Sequence, residues 1–264
     1  GGKEIKVFMQ RDPLKLPWKE LDVDVVLECT GAFVKDDKAA AHLTAGAKRV
    51  IISAPSKGDS PAPTYVMGVN DSKIDFSQES VVSNASCTTN CISPIAKVMV
   101  DNFGVEKAIM TTIHAYTSTQ NLVDGNHKDL RRGRAAAENI IPTTTGAAIA
   151  TTKVLPQLEN KFDGMAIRVP VPSGSLTDFT FLLSKAVSVE EVNKALTDAS
   201  KTTHKGILAV SNAPIVSSDI IGRPESAIAD LQMTKVVDGN LVKVLAWYDN
   251  EWGYANRLVD MVSR

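Results

Sequence analysis

Charge of one sign is what this chain most plainly lacks. Its 29 basic and 30 acidic residues leave a net charge of -1, so there is no basic excess with which to grip nucleic acid or an anionic membrane surface. Long apolar runs are missing as well. Nothing approaches the roughly 20 residues of a membrane span, and charge appears within a few residues of Gly1, so no signal peptide is read there. Cysteine is scarce, with three in 264 residues. An odd count suits a reducing compartment, the cytoplasm by default, better than a disulfide framework. No C-x-x-C or H-x-x-x-H spacing offers a pair of metal ligands. What remains is the bulk of a globular protein, 44% hydrophobic and 22% charged, long enough for one large or two ordinary domains.

Against that plain background one stretch stands out. Ser83-Asn84-Ala85-Ser86-Cys87-Thr88-Thr89-Asn90-Cys91 is small, polar and rich in hydroxyls, and it separates an apolar strand-like entry (Val81, Val82) from a helical run over residues 92–100. A thiol where a helix begins meets unpaired N–H groups and the positive end of the dipole, and both favour the thiolate. A lone cysteine is usually a small buried hydrophobe. Cores do not ordinarily surround one with Ser, Thr, Thr and Asn, so Cys87 is read as a nucleophile.

The segment S-N-A-S-C-T-T-N-C resembles the active-site segment of the phosphorylating glyceraldehyde-3-phosphate dehydrogenases. The likeness continues in E-C-T-G at 28–31, I-S-A-P-S-K at 52–57, H-A-Y-T at 114–117, H-K-D-L-R-R-G-R at 127–134, P-T-T-T-G-A-A at 142–148 and W-Y-D-N-E-W-G-Y at 247–254. It implies an α/β fold in two parts. The first, residues 1–86, is the C-terminal part of a doubly wound (Rossmann-type) NAD(P)-binding domain. The second, residues 87–249, is an α+β catalytic domain with a mostly antiparallel sheet and flanking helices. Residues 250–264 form a helix returning to the cofactor domain. The implied assembly is a homotetramer.

In chain order, residues 3–9 alternate like a strand, residues 21–29 carry the continuous apolar core of a buried parallel strand, and residues 49–53 form another. Between them Asp36, Asp37 and an Ala-rich run over residues 38–45 read as one helix with acid in its first turn and Gly46 as its C-cap. Strand, helix and strand in so few residues make a crossover unit, half of a nucleotide-binding sheet. The G-x-G-x-x-G that normally opens such a sheet does not occur, so the sequence is expected to start part-way through the cofactor domain. By resemblance, Thr30, Gly31, Ser53, Asn250 and Tyr254 bind NAD or NADP, with Asn250 holding the nicotinamide amide. Asn126 stands where many NAD-dependent members have proline, so the choice between NAD and NADP stays open.

Residues 73–77 read as a short strand and residues 106–113 as a longer one that delivers His114. A lone histidine is often structural, but in the resembled family this one pairs with the cysteine, lowers its pKa and then works as acid and base. The charges Lys128, Arg131, Arg132 and Arg134 suit a solvated loop or a subunit contact, and the resemblance assigns Arg132 to an anion site. Thr143 to Thr145 and Gly146, ahead of a helix over residues 147–155, are either helix caps or a phosphate cradle on physics alone. The resemblance favours the cradle. Ile149 replaces a lysine common in the family. Arg168 lies inside a strand over residues 165–171 and needs a counter-charge, which substrate phosphate supplies in the family. Residues 179–184, 232–236 and 241–247 read as strands, the last two joined by Asp238-Gly239-Asn240. Residues 189–199 read as a helix with a Ser188–Glu191 capping box, and residues 251–262 as a closing helix.

The implied chemistry is oxidation of glyceraldehyde 3-phosphate to 1,3-bisphosphoglycerate, a glycolytic step, through a thiohemiacetal and thioester on Cys87. Thr117 and Arg168 would hold the substrate phosphate. Ser86, Thr88, Thr145 and Gly146 would hold the attacking inorganic phosphate, with Arg132 between the two sites. The alternatives are erythrose-4-phosphate dehydrogenase, a non-phosphorylating relative, a cofactor-free thiol hydrolase or acyltransferase, and a non-catalytic fragment acting as an interaction partner. Product formation that depends on added phosphate, and NAD binding, discriminate among them.

Overall fold

The computed structural model describes residues 2–264, apart from the Asp36 side chain, on which part of the expected first-turn acid falls. Two sheets organise it. The first is parallel, with order β1-β2-β3: β1 (Val25–Glu28), β2 (Arg49–Ile52) and β3 (Val81–Ser83). The β1–β2 link carries two short helices, α1 (Asp36–Ala39) and α2 (Ala41–Thr44), where the sequence predicts one helix. The chain breaks at Ala40, and Gly46, at φ +110°, ends the segment. An added Cβ at Gly46 would lie 2.4 Å from Lys19 Cβ, so only glycine fits.

From β3 the chain enters α3 (Cys87–Phe103), whose apolar side chains Ile92, Ile95, Ala96 and Met99 are fully buried. This helix is the axis of the larger core. Around it the chain adds β4 (Val105–Ala115), β5 (Ile141–Thr144), α4 (Ala147–Val154), β6 (Phe162–Val169), β7 (Ser175–Leu183) and α5 (Val189–Lys201). It closes with β8 (Leu208–Ser211), β9 (Ala227–Asp230), β10 (Lys235–Val237), β11 (Leu241–Tyr248) and α6 (Trp252–Val262). The second sheet runs β5-β6-β4-β7-β11-β9-β8, with β10 also on β11. Only β4–β6 and β8–β9 pair in parallel; the other pairings are antiparallel. The expected α/β and α+β classes are both present. The capping box at Ser188 and Glu191 forms as predicted. At the C-terminus, Leu258 and Met261 of α6 pack with Ile51 and Val82 of the parallel sheet.

Two expected strands are absent. Residues 3–9 form no strand and pair with none, and Ile5, Val7 and Met9 are exposed. Alternation makes a strand only where a neighbouring ladder is within reach, and none of the described strands lies beside it. Residues 73–77 run from the last residue of a 3-10 helix at Asp71–Lys73 into a turn at residues 76–78. Asp75 Oδ1 takes the N–H and hydroxyl of Ser77, a local bond that competes with any ladder.

Antiparallel and parallel neighbours combine so that several strand ends meet at one place. His114 and Arg168 are register partners on β4 and β6, and Ile141 of β5 lies opposite Arg168. The start of β7 at Ser175 pairs with the end of β11 at Tyr248. These ends converge with the N-terminus of α3 on the candidate site.

Candidate active site

Cys87 is the first residue of α3. Ser86 is its N-cap, accepting from the Thr89 N–H at 3.1 Å, which is the local reason the helix begins at the thiol, ahead of the helical run read over residues 92–100. Ala85, just before the cap, is held at φ +55° and fully buried. A non-glycine residue in the left-handed region is strained, and two bonds keep it there: its N–H reaches Ser83 Oγ (3.1 Å), and its carbonyl accepts from Tyr254 (2.9 Å).

The thiol faces His114. Cys87 Sγ and His114 Nε2 are 3.5 Å apart. The imidazole is buried, and its Nδ1 lies 2.7 Å from the Ala115 carbonyl. Nδ1 thus meets an acceptor in the Ala115 carbonyl and a donor in Arg168, and with its proton given to the carbonyl Nε2 turns its lone pair to the sulfur, the tautomer a base needs here. Arg168 Nη1 donates to the same carbonyl at 2.8 Å and crowds Nδ1 at 2.5 Å. Burial, and secondly the Arg168 charge, push His114 down to about 4. Burial also pushes the Cys87 thiol up, against the opposing pull of Thr88, Arg168 and its own N–H. The sequence expectation of a thiol lowered at rest counts the helix terminus alone, and burial works against it. Neither group alone favours its charged form, but moving the thiol proton to Nε2 makes a net-neutral ion pair, which burial opposes less than either ion by itself.

The remaining polar groups form a shell around this pair. Thr88 Oγ1 is 4.0 Å from the sulfur and 2.9 Å from the Tyr248 hydroxyl, which also reaches Thr112 Oγ1 at 2.8 Å. Tyr248 meets the His114 ring edge-on, with centroids 6.0 Å apart. Sequence reasoning missed Tyr248. Its signal lay in the alternation of β11, where Val242, Val244, Ala246 and Tyr248 face the core. Cys91, a turn further along α3, is sealed in the core and burial pushes its thiol up strongly.

The residues expected at anion sites divide by how far they are already engaged. Arg132 is bound to the strand edge, Nε to Thr143 Oγ1 (2.7 Å) and Nη2 to the Thr144 carbonyl (3.0 Å). Thr117 and Thr119 share a hydrogen bond of 2.9 Å. Thr145 Oγ1 caps the Ala147 N–H, and Gly146, the N-cap of α4, has open space where a Cβ would be. The Ser86 and Thr88 hydroxyls are turned onto Thr89 and Tyr248.

Among the residues expected at a dinucleotide, Asn250 is held by its oxygen. Oδ1 accepts from the Gly174 N–H (3.1 Å) and the Ser175 hydroxyl (2.8 Å), and Ser175 Oγ accepts in turn from Ala115 N (3.1 Å). That leaves the Asn250 amide N–H groups as spare, oriented donors, which suits a carboxamide oxygen. Gly31, at φ +71°, is open all round. The Ser53 N–H goes to the Glu28 carbonyl, and Thr30 turns its N–H and hydroxyl onto the Glu28 carboxylate. The spare Asn250 amide donors and the open main chain at Gly31 fit a nicotinamide dinucleotide, whereas the Thr30 donors and the Ser53 N–H are already engaged. Among the described residues no group of three His, Cys, Asp or Glu could hold a metal ion, and no helix is long and apolar enough to cross a membrane.

Comparison with known proteins gives one consistent answer. Residues 86–250 match the family described as glyceraldehyde 3-phosphate dehydrogenase, C-terminal domain, and residues 1–36 match its NAD binding domain. The chain is 56% identical over 260 residues to glyceraldehyde-3-phosphate dehydrogenase 2 of Streptomyces avermitilis, covering 98% of this chain and 77% of that one. It is 57% identical over 264 residues to the glyceraldehyde-3-phosphate dehydrogenase of Mycobacterium tuberculosis, covering 100% of this chain and 77% of the relative. For the Mycolicibacterium smegmatis enzyme the figures are 56%, 264 residues, 100% and 76%. With the site geometry and these matches in agreement, the chain belongs to the glyceraldehyde-3-phosphate dehydrogenase family.

Proposed function

We propose that this chain oxidises glyceraldehyde 3-phosphate to 1,3-bisphosphoglycerate in glycolysis, with NAD or NADP as cofactor and Cys87 and His114 as the catalytic pair. The observation that carries this reading is the 3.5 Å approach of Cys87 Sγ to His114 Nε2 at a helix N-terminus, with Arg168 alongside. Transfer of the thiol proton to Nε2 frees the sulfur to attack the aldehyde carbon, and the imidazolium and the Cys87 N–H steady the resulting oxyanion. Return of the proton gives the neutral thiohemiacetal. Bound nicotinamide dinucleotide supplies the hydride acceptor. His114 Nε2 removes the hydroxyl proton as the carbon is oxidised, leaving a thioester on Cys87. Inorganic phosphate attacks that carbonyl, and the sulfur departs with its electron pair to recover the proton from His114.

In this reading Arg168 and Thr117 hold the substrate phosphate. Arg132, Ser86, Thr88, Thr145 and Gly146 serve the attacking phosphate, with the Ser86 and Thr88 hydroxyls re-aimed from their present partners or replaced by their N–H groups. Asn250 orients the carboxamide, beside Tyr254, Ser53, Thr30 and Gly31. Incubation with substrate and NAD, with and without inorganic phosphate, tests the assignment. Acyl phosphate and reduced cofactor should accumulate in step, and only with phosphate present. Reduced cofactor formed equally well without phosphate would refute the phosphorylating reaction.

The assembly is a homotetramer and its compartment the cytoplasm. Support for assembly comes from the sheet face turned away from α3. There Ile109 and Met165 are exposed on the adjacent strands β4 and β6, with Leu241 exposed on β11 beyond β7, and exposed apolar side chains of this kind are what oligomers cover. Light scattering would give the mass of four chains, and cell fractionation would test the compartment.

A further inference from the structure

Three side chains at the smaller sheet and the segments beside it, Trp18, Glu28 and His42, take no part in the reaction above. His42 on α2 and Glu28 at the end of β1 are 5% and 4% exposed, and the indole of Trp18 reaches them. Trp18 Nε1 donates to His42 Nδ1 at 3.0 Å, and His42 Nε2 lies 2.9 Å from Glu28 Oε2. An indole nitrogen only donates, so Nδ1 carries the lone pair and the imidazole proton sits on Nε2, aimed at the carboxylate. The other carboxylate oxygen, Oε1, accepts from the Thr30 N–H at 2.8 Å and from the Thr30 hydroxyl, whose oxygen accepts from Ala32 N at 3.1 Å. Every donor direction in this chain is therefore fixed. It starts at Trp18 and ends beneath the Thr30–Gly31 turn.

We propose that Glu28 and His42 are positioning residues for the dinucleotide, holding the Thr30–Gly31 turn in the shape that receives it. The inference rests on the cofactor reading given under Proposed function. It adds that both Thr30 donors are committed inward, so the turn meets its ligand through the exposed main chain at Gly31 rather than through the threonine hydroxyl.

The fixed tautomer supplies a test that ordinary destabilisation does not mimic. Glu28→Gln replaces one acceptor with a donor. With the amide oxygen on Thr30, its N–H faces the His42 Nε2–H, and His42 cannot present a lone pair there while Trp18 occupies Nδ1. Trp18→Phe removes that constraint, since Nδ1 can then take the proton and Nε2 accept. The expected result is that Glu28→Gln weakens NAD binding by about tenfold in calorimetry, while turnover at saturating NAD changes by less than about twofold. Trp18→Phe alone should have a small effect. The double variant should return to within about threefold of Trp18→Phe, a coupling of the kind only interacting residues show. Without any dinucleotide, the Thr30 amide proton should shift upfield in Glu28→Gln as it loses its carboxylate partner. Losses that simply add in the double variant would overturn the proposal, as would unchanged NAD affinity in Glu28→Gln. Failure of the wild-type chain to bind NAD would overturn the cofactor reading as well, and it would be visible without any variant.

Discussion

Arg168 Nη1 and His114 Nδ1 lie 2.5 Å apart on adjacent parallel strands, with the Ala115 carbonyl accepting from both. Two donors crowded on one acceptor repel, and the guanidinium depresses His114 for that reason, second only to burial. Replacing Arg168 with methionine keeps the apolar stem but removes the charge, so the His114 pKa should rise from about 4 toward its ordinary value. An NMR titration of the imidazole would measure this. The same variant should raise KM for the phosphorylated aldehyde much more than for an unphosphorylated one, since the substrate phosphate loses its counter-charge.

The low His114 pKa also sets a pH window for stability. The unfolded histidine takes up its proton near pH 6.5, whereas the folded one resists protonation down to about 4. Between those values the unfolded chain binds more protons. The stabilising effect is therefore complete above pH 6.5 and is lost as pH falls toward 4, at a cost of about 3 kcal/mol in all. His204, also lowered by burial, adds a contribution of the same sign. Urea unfolding from pH 7 to 4 should show a shallower decline in His114→Asn than in the wild type. Equal slopes would mean that His114 is not the group responsible.

Removing either member of the catalytic pair should have different consequences. Cys87→Ser leaves a hydroxyl that an imidazole of such low basicity does not ionise, so no thioester forms and oxidation should be abolished. His114→Asn keeps the nucleophile but removes the base, so the chemical step should slow by roughly 10²–10⁴-fold. Rapid-quench measurement of acyl-enzyme distinguishes the two, and normal turnover in Cys87→Ser would contradict the assignment.

The sequence carried the elements whose signals are local. The hydroxyl-rich flank of Cys87 marked where α3 begins, though not its Ser86 cap, and the Ser188–Glu191 box marked α5. Signals that needed a partner were less legible. Residues 3–9 alternate as a strand does, yet they pair with no described strand. The alanine-rich segment that read as one helix splits at Ala40. At the site, Cys87 and His114 are 27 residues apart and meet through sheet topology, which the spacing alone does not show. The rise in the Cys87 thiol was hidden because desolvation depends on what packs over the sulfur, whereas the helix terminus could be read from neighbouring residues. Positive φ at Ala85 had no signal either, because nothing in an Asn-Ala-Ser sequence demands it.

Tyr248, the residue the sequence did not reveal, offers the last test. Its hydroxyl joins Thr88 and Thr112, so the helix carrying the thiol is tied to the strand that delivers His114. One set of directions satisfies every group: Thr88 donates to Tyr248, Tyr248 to Thr112, and Thr112 to the Leu176 carbonyl at 3.5 Å. Burial keeps the phenol protonated, since it pushes the pKa far above the ordinary value. Tyr248→Phe preserves the ring against His114 but strands the buried Thr88 hydroxyl and leaves Thr112 only its bond to the Leu176 carbonyl, which should cost about 1–3 kcal/mol and lower the melting temperature by several degrees. If the tie also sets the distance between sulfur and imidazole, acylation should slow while affinity for the dinucleotide stays unchanged, because Asn250 is held separately through Ser175 and Gly174. A variant with wild-type stability and acylation rate would show that the bridge between helix and strand is dispensable.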